Sequence, residues 1–342
     1  MTPTKMYPEI PDIIRTRPDP EKYVLAEEDP LYRAVMLALR FNQPLLLTGE
    51  PGTGKTLLAE KVAHILHGKT QHRGEGQARF SKTPLRFNTK TTSAARDLFY
   101  MYDAIGHFQN ANIKLEAVEK IKTLKEFIEL QALGEAIALA NPKESYQNYF
   151  KWKMPAHPQS SVVLIDEIDK APRDFTNDIL NELERQEFYI KEQENQRLEL
   201  GADTSQRILI IMTSNSEKNL PDAFLRRCIF FHIDFPDANK LLSILNAQLS
   251  QKETDTIRKN LNSLTKLFQE IRKAAPRKKP ATAELVAFTK LLEMDGHLEQ
   301  TDPNIEKWFI DNLSLIAKSE ADYKAIKSFL ETNLMETRVL NK

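Results

Sequence analysis

One cysteine, Cys228, stands in 342 residues, which excludes any disulfide within the chain. It falls in the apolar stretch Cys228-Ile229-Phe230-Phe231, where a buried strand thiol is expected rather than a reactive one. Charge of one sign is also missing: Lys plus Arg and Asp plus Glu number 48 each, so no global field favours nucleic acid or an anionic membrane. No apolar run approaches the length that spans a bilayer. The N-terminal MTPTKMYPEIPDII carries charge and proline where a secretion signal needs an apolar core, so a cytoplasmic location is expected. Histidines are scattered, and His64, His67 and His72, the closest group, lack acidic or cysteine partners at ligand spacing, so no zinc site is expected. Glycine is scarce too, with ten residues in all, and three of them lie within eight positions.

Those eight are GEPGTGKT, 49–56, which fit the phosphate-loop pattern of two glycines, a lysine and a hydroxyl residue. At average residue usage the pattern arises by chance about once in a hundred chains of this length. Leu45, Leu46 and Leu47 before it read as the end of a buried strand. Leu57, Leu58, Val62, Ile65 and Leu66 after it recur at helical spacing. Gly49, Gly52 and Gly54 let the backbone turn its N–H groups inward around an anion, and the helix starting near Lys55 adds its positive dipole end. The pattern predicts nucleoside triphosphate binding by Gly49, Glu50, Pro51, Gly52, Thr53, Gly54, Lys55, Thr56 and Leu57. Lys55 reaches the β- and γ-phosphates in this reading, and the Thr56 hydroxyl ligates magnesium.

The length suggests about two domains. Residues 1–30, rich in proline and charge, read as an extended lead-in before a helix from about Leu31 to Phe41. Leu85 to Asn88 is a short strand, and Ser93 is expected to cap a helix carrying Leu98, Tyr102 and Ile105. The polar-helical stretch 104–150 is longer than a crossover requires and reads as an insertion. Val162 to Ile165 and Ile208 to Met212 are continuous apolar runs, the mark of strands buried on both faces. They end in Asp166-Glu167 and in Thr213-Ser214-Asn215. Ligands of open α/β sheets bind beyond the carboxyl ends of the strands, so three strand ends converge on one site. An α/β nucleotide-binding domain over 31–236 follows. From 237 to 342 helical spacing alone remains, in Ile257, Leu261, Leu264, Phe268 and Ile271, in Leu285, Phe288 and Leu292, in Ile305, Trp308 and Phe309, and in Tyr323, Ile326 and Leu330.

Hydrolysis needs a metal-bridged phosphate chain and an oriented water. Asp166 is placed to hold magnesium and Glu167 to orient or deprotonate the water. The plainer alternative is an acidic pair capping the next helix.

With GEPGTGKT followed by VVLIDEID, the chain resembles the AAA+ ATPases, and among them the MoxR-like ATPases. The resemblance runs from about Tyr23 to Leu292 on PLLLTGEPGTGKT, ARDLFYMYDAIGHF, VVLIDEIDKAPRDF and LPDAFLRRCIF. It implies a P-loop NTPase three-layer sandwich with a parallel sheet, followed by a smaller all-α lid. TSN at 213–215 resembles sensor 1, which makes Asn215 the polar contact to the γ-phosphate or the water. LPDAFLRRC at 220–228 resembles the segment bearing the arginine finger, with Arg226 and Arg227 as candidates and position favouring Arg227. Two surface arginines at a helix end are the alternative there. The resemblance also implies a homo-oligomeric ring, commonly of six subunits, with ATP and magnesium at the interfaces. A client protein to remodel or mature is implied as well, often with a partner carrying a von Willebrand factor A domain. Within it, 104–150 corresponds to a helix-two insertion and Glu187 to Leu200 to a hairpin before sensor 1. The expected sensor 2 arginine is missing: RKKPATAEL at 277–285 aligns Ala283 with it, so either Lys278 or Lys279 reaches the γ-phosphate instead or the coupling to the lid is weaker.

The run Arg272, Lys273, Arg277, Lys278 and Lys279 reads first as a solvated basic face, and no interleaved aromatics suit it to nucleic acid. An AAA+ motor or loader acting on DNA is therefore the second reading, and a nucleotide-dependent scaffold with little turnover the third. Glu167 and Asn215 argue against the scaffold.

Overall fold

The structure, a computed structural model, describes residues 19–74, 77–113, 122–143, 146, 148–151, 157–201, 205–215, 220–250, 253–301 and 303–340. Residues 1–18 of the expected lead-in and 114–121 of the expected insertion lie outside them. Two compact units divide the chain, Leu25–Asp234 and Phe235–Lys342, the latter taking residues 19–24 as well.

In the first unit the order is α1 (Pro30–Phe41), β1 (Leu45–Gly49), α2 (Lys55–Thr70), β2 (Leu85–Asn88), β3 (Tyr100–Tyr102), α3 (Ala104–Ile113), β4 (Ile128–Leu130) and α4 (Ala132–Ala140). Then come β5 (Ser161–Asp166), α5 (Arg173–Asp178), α6 (Leu180–Arg185), β6 (Glu187–Ile190), β7 (Gln196–Glu199), β8 (Ile208–Ser214), α7 (Asp222–Leu225) and β9 (Ile229–Ile233). Five strands form one parallel sheet in the order β2-β5-β8-β1-β9, flanked by α1, α2 and α4. This is the α/β fold of a P-loop NTPase. The central strands β1, β5 and β8 are buried almost throughout, which is why they read as unbroken apolar runs. Their register sets Thr48 beside Ser214 and Ile165 beside Met212, so the carboxyl ends of β1, β5 and β8 lie level along one edge. Local signals fix the approach: the Asp29 carboxylate accepts from the Leu31 N–H at 2.9 Å, Pro30 opens α1, and Asn42 ends it at φ 53°.

Three expectations fail in this unit. No helix runs from Ser93 through Ile105; the Ser93 hydroxyl accepts from the Lys90 N–H, and Tyr100-Met101-Tyr102 pair antiparallel with Ile128-Glu129-Leu130. Alternation explains it, since Tyr100 is buried and Met101 exposed, and the spacing of Leu98, Tyr102 and Ile105 only mimics a helix. The span 104–150 is not all insertion either. Helix α4 packs on β2, β5 and β8 and is buried throughout save for Glu135, so it is a layer of the main unit. Its small residues permit that approach: a Cβ on Gly134 would lie 2.0 Å from the Phe99 carbonyl oxygen. Between β2 and α4 the inserted part is therefore the β3–β4 pair with α3. Finally, Cys228 is half-buried just ahead of β9, and Phe230 is 57% exposed, because β9 is covered on one face only and alternates half-buried with exposed residues. Hairpin β6–β7 forms as expected, with Phe188 and Ile190 buried.

The second unit is helical: α8 (Ala238–Gln248), α9 (Asp255–Ala274), α10 (Thr282–Met294), α11 (Ile305–Asp311), α12 (Leu313–Ile316) and α13 (Glu320–Leu340). Every apolar residue read at helical spacing is buried here except Tyr323, and Phe288 stacks on Phe309 with ring centroids 4.4 Å apart. The lead-in joins this unit rather than trailing: the Lys22 ammonium donates to the Gln248 and Leu249 carbonyls, the free acceptors at the end of α8. Arg272 is not part of a basic surface. It is buried, with its guanidinium 3.4 Å from the Phe235 ring centroid and donating to the Pro280 carbonyl. Arg277, Lys278 and Lys279 do stay exposed, on a loop whose Arg277 and Lys278 N–H groups donate to the buried Asp322 carboxylate. Burial works to raise the carboxyl of Asp322, but the bonds from Ser319 and these two N–H groups outweigh it and hold it below its ordinary value. Among the described residues no helix is long and apolar enough to cross a membrane.

Candidate active site

Strand β1 runs into the phosphate loop at Gly49, where a Cβ would meet the Ile233 carbonyl oxygen at 2.5 Å. The loop closes at Gly54, whose φ of 89° lets the chain turn directly into α2. Glu50, Pro51 and Gly52 are exposed, Thr53, Gly54, Thr56 and Leu57 half-buried, and Lys55 buried. The Thr53 hydroxyl ties the loop to itself by donating to the Glu50 carbonyl at 2.8 Å. The Lys55 ammonium donates to the carbonyls of Gly49 at 2.7 Å and Glu50 at 3.0 Å. Burial lowers the pKa of Lys55, and the carboxylates of Asp169, Asp166 and Glu167 work against that. Lys55 is thus a buried ammonium at the first residue of α2, held by two carbonyls and offset by three carboxylates.

Hydrogen bonds join the ends of β5 and β8 to α2. The Thr56 hydroxyl donates to Asp166, 3.1 Å from Oδ1 and 3.2 Å from Oδ2. From β8, the Thr213 hydroxyl donates to Asp166 Oδ1 at 2.5 Å and accepts from the Glu167 N–H at 2.8 Å. That N–H is available because Glu167 adopts φ 57° and ψ 51°, a left-handed conformation that turns the chain sharply at the strand end. Asn215 follows on β8. Its Nδ2 donates to Glu167 Oε1 at 3.3 Å, and its N–H donates to the buried Asp169 at 3.2 Å. Lys170 donates to Glu167 Oε2 at 2.5 Å.

The structure thus gathers Lys55, Thr56, Asp166, Glu167 and Asn215. Thr56 and Asp166 offer hard oxygen donors side by side, the chemistry magnesium takes when phosphate and water complete its shell. Arg226 and Arg227 stand at the end of α7, and the contacts of Arg227 do not run to this group. Arg227 is engaged within its own chain, its Nε donating to Glu184 and its Nη1 to the Ala223 carbonyl at 3.3 Å. Arg226 is exposed and has no ion-pair partner among the described residues. Lys278 and Lys279 belong to the helical unit. Sequence reasoning assigned no role to Thr213, Asp169 or Lys170. The turn after Glu167 brings the last two to the site, burying Ile168 and Asp169 together and leaving Lys170 half-exposed beside Glu167.

None of the curated proteins matches the chain. One family's sequence model, described as AAA domain (dynein-related subfamily), matches residues 44–228. That match takes in β1 through the end of α7 and more than half of the chain, and the phosphate loop and both other strand ends of the site lie inside it, so the protein belongs to the AAA domain family, whose members are nucleotide-dependent ATPases.

Proposed function

We propose that this protein binds ATP with magnesium, hydrolyses it, and uses the cycle to remodel or mature a client protein as a ring of MoxR type. One observation carries the hydrolytic part: Thr56, Asp166, Thr213, Glu167 and Asn215 form one hydrogen-bonded chain beside Lys55 at the carboxyl edge of the sheet. The loop N–H groups and the α2 N-terminus bind the phosphates, and Lys55 exchanges its two carbonyl bonds for charge-assisted ones to the β- and γ-phosphates. Thr56 and Asp166 hold magnesium, which when bound neutralises phosphate charge. Glu167 orients the attacking water and takes its proton, and Asn215, already bonded to Glu167, senses the γ-phosphate from the other side.

The MoxR reading rests on the sequence resemblance. Two further features support it: the insertion between β2 and α4 and the β6–β7 hairpin ahead of β8. It brings with it a ring, commonly hexameric, a client, and a partner with a von Willebrand factor A domain. Of the two arginines we assign the finger to Arg226, since Arg227 is spent on Glu184 of its own subunit while Arg226 is free to reach a neighbour. A residue acting in trans makes the interface head-to-tail, and that closes into a ring.

The test separates binding, turnover and assembly. Lys55→Ala is expected to lose a labelled ATP analogue, while Glu167→Gln keeps it and stops turnover. Light scattering of Glu167→Gln is expected to show a larger assembly with ATP than without. A Glu167→Gln protein hydrolysing at the wild-type rate removes the base, and a monomer active at full rate removes the ring.

A further inference from the structure

The turn after β5 holds a side chain that the proposed hydrolysis does not yet use. Residues Ile168–Lys170 form a single 3-10 turn closed by the Lys170 N–H on the Glu167 carbonyl at 2.9 Å. The turn carries the chain back on itself within three residues, which sets the Lys170 ammonium against the Glu167 carboxylate. The two residues between them are anchored inward: Ile168 is fully buried in the core, and the buried Asp169 accepts the Asn215 N–H. The backbone of Glu167 is itself pinned by Thr213. The Glu167 carboxylate is then gripped at both oxygens, Oε1 by Asn215 Nδ2 at 3.3 Å and Oε2 by Lys170 Nζ at 2.5 Å.

We infer that Lys170 is a positioning residue for hydrolysis: its ammonium fixes one oxygen of Glu167, so that the carboxylate meets the attacking water in a single orientation. The inference rests on Glu167 being the group that addresses the water. A carboxylate swings freely about its last torsion, which is broad and roughly two-fold, and Asn215 alone restrains only one oxygen at a long distance. Lys170 supplies the second, shorter, charge-assisted bond, and a carboxylate keeps enough lone pairs to accept both bonds and still receive a proton. Because Lys170 and Glu167 are both more than a third exposed, the pair adds little to stability, and its effect falls on geometry.

Lys170→Met, which keeps the stem and removes the ammonium, tests this against Lys170→Arg and Glu167→Gln. Expected are a kcat lowered about ten- to hundredfold in Lys170→Met, an unchanged affinity for a labelled non-hydrolysable ATP analogue, and recovery of most of kcat in Lys170→Arg. A general loss of structure would weaken analogue binding together with kcat and would not spare the arginine variant. If Glu167→Gln abolishes turnover while Lys170→Met keeps or exceeds the wild-type kcat, the positioning role is overturned and the base stands. If Glu167→Gln itself turns over normally, the assignment of the base fails, and this inference with it.

Discussion

Replacing Thr213 by valine removes one hydroxyl and keeps the shape, so it isolates what that hydroxyl does. Thr213 is 1% exposed, and the hydroxyl makes two bonds, accepting from the Glu167 N–H at 2.8 Å and donating to Asp166 Oδ1 at 2.5 Å. With valine the Glu167 N–H is left without its acceptor, at about 1–3 kcal/mol for an orphaned buried donor. Asp166 loses a bond worth roughly 1.5–3 kcal/mol for a charged partner, but it is half-buried and keeps Thr56, so the lower end applies. Together these give about 2.5–4.5 kcal/mol. For a unit the size of Leu25–Asp234 this lowers the transition temperature by about 5–18 °C. Activity should fall as well, because the left-handed backbone of Glu167 is unfavourable for a residue with a Cβ and is held there by that N–H. Scanning calorimetry and steady-state phosphate release measure the two effects, with Thr213→Ser as the conservative control. A valine variant that melts within about 2 °C of wild type and turns over normally would refute the reasoning, for it would mean that neither bond matters to the strand end.

The arginine assignment predicts an asymmetry: Arg226→Ala alone hydrolyses poorly yet regains activity when mixed with Lys55→Ala subunits, because mixed interfaces pair an intact loop with an intact finger. Arg227→Ala, which breaks only the contacts to Glu184 and Ala223, should keep more activity alone, and the reverse order would return the finger to Arg227. Burial pushes the Cys228 thiol up to about 12, so at pH 8 it stays protonated in the folded protein and should resist iodoacetamide until denaturant is added. The same shift means that raising the pH through the thiol's ordinary value favours the unfolded chain, where the thiol ionises freely, so a Cys228→Ala variant should lose less stability than wild type between pH 8 and about 10.

Legibility tracked the kind of burial. Strands β1, β5 and β8 are covered on both faces, so each spells a run of consecutive apolar residues that is hard to mistake. The helical unit was equally plain, because α9 buries one stripe and exposes the other, and Ile257, Leu261, Leu264, Phe268 and Ile271 fall on that stripe. Between Ser93 and Ala140 neither signal holds. The three-residue strands β3 and β4 show too little alternation to outvote a helical spacing, and α4, apolar nearly all round, has no polar face to mark it as a core helix rather than part of an insertion. What decides both is long-range: the pairing of Tyr100 with Leu130, and the approach of Gly134 to Phe99.

In the site the same division separates the groups that follow directly from a strand from those that depend on a turn or a partner. Lys55, Thr56, Asp166, Glu167 and Asn215 lie at or next to strand and helix ends, so finding the strands finds the residues. Asp169 and Lys170 lie two and three positions further on, and whether they face the site depends on whether the chain continues as a loop, an α-turn or a 3-10 turn. The left-handed Glu167 and the burial of Ile168 select the last of these. Arginines 226 and 227 are adjacent in sequence and equal in chemistry, and only the position of Glu184 on α6, more than forty residues earlier, tells them apart. A carboxylate that takes one arginine of a pair leaves the other exposed at the surface, and that exposed guanidinium is the one able to enter a neighbour's site. Glu184→Ala should therefore blur the distinction by freeing Arg227, and the activity of Arg226→Ala should rise in that background.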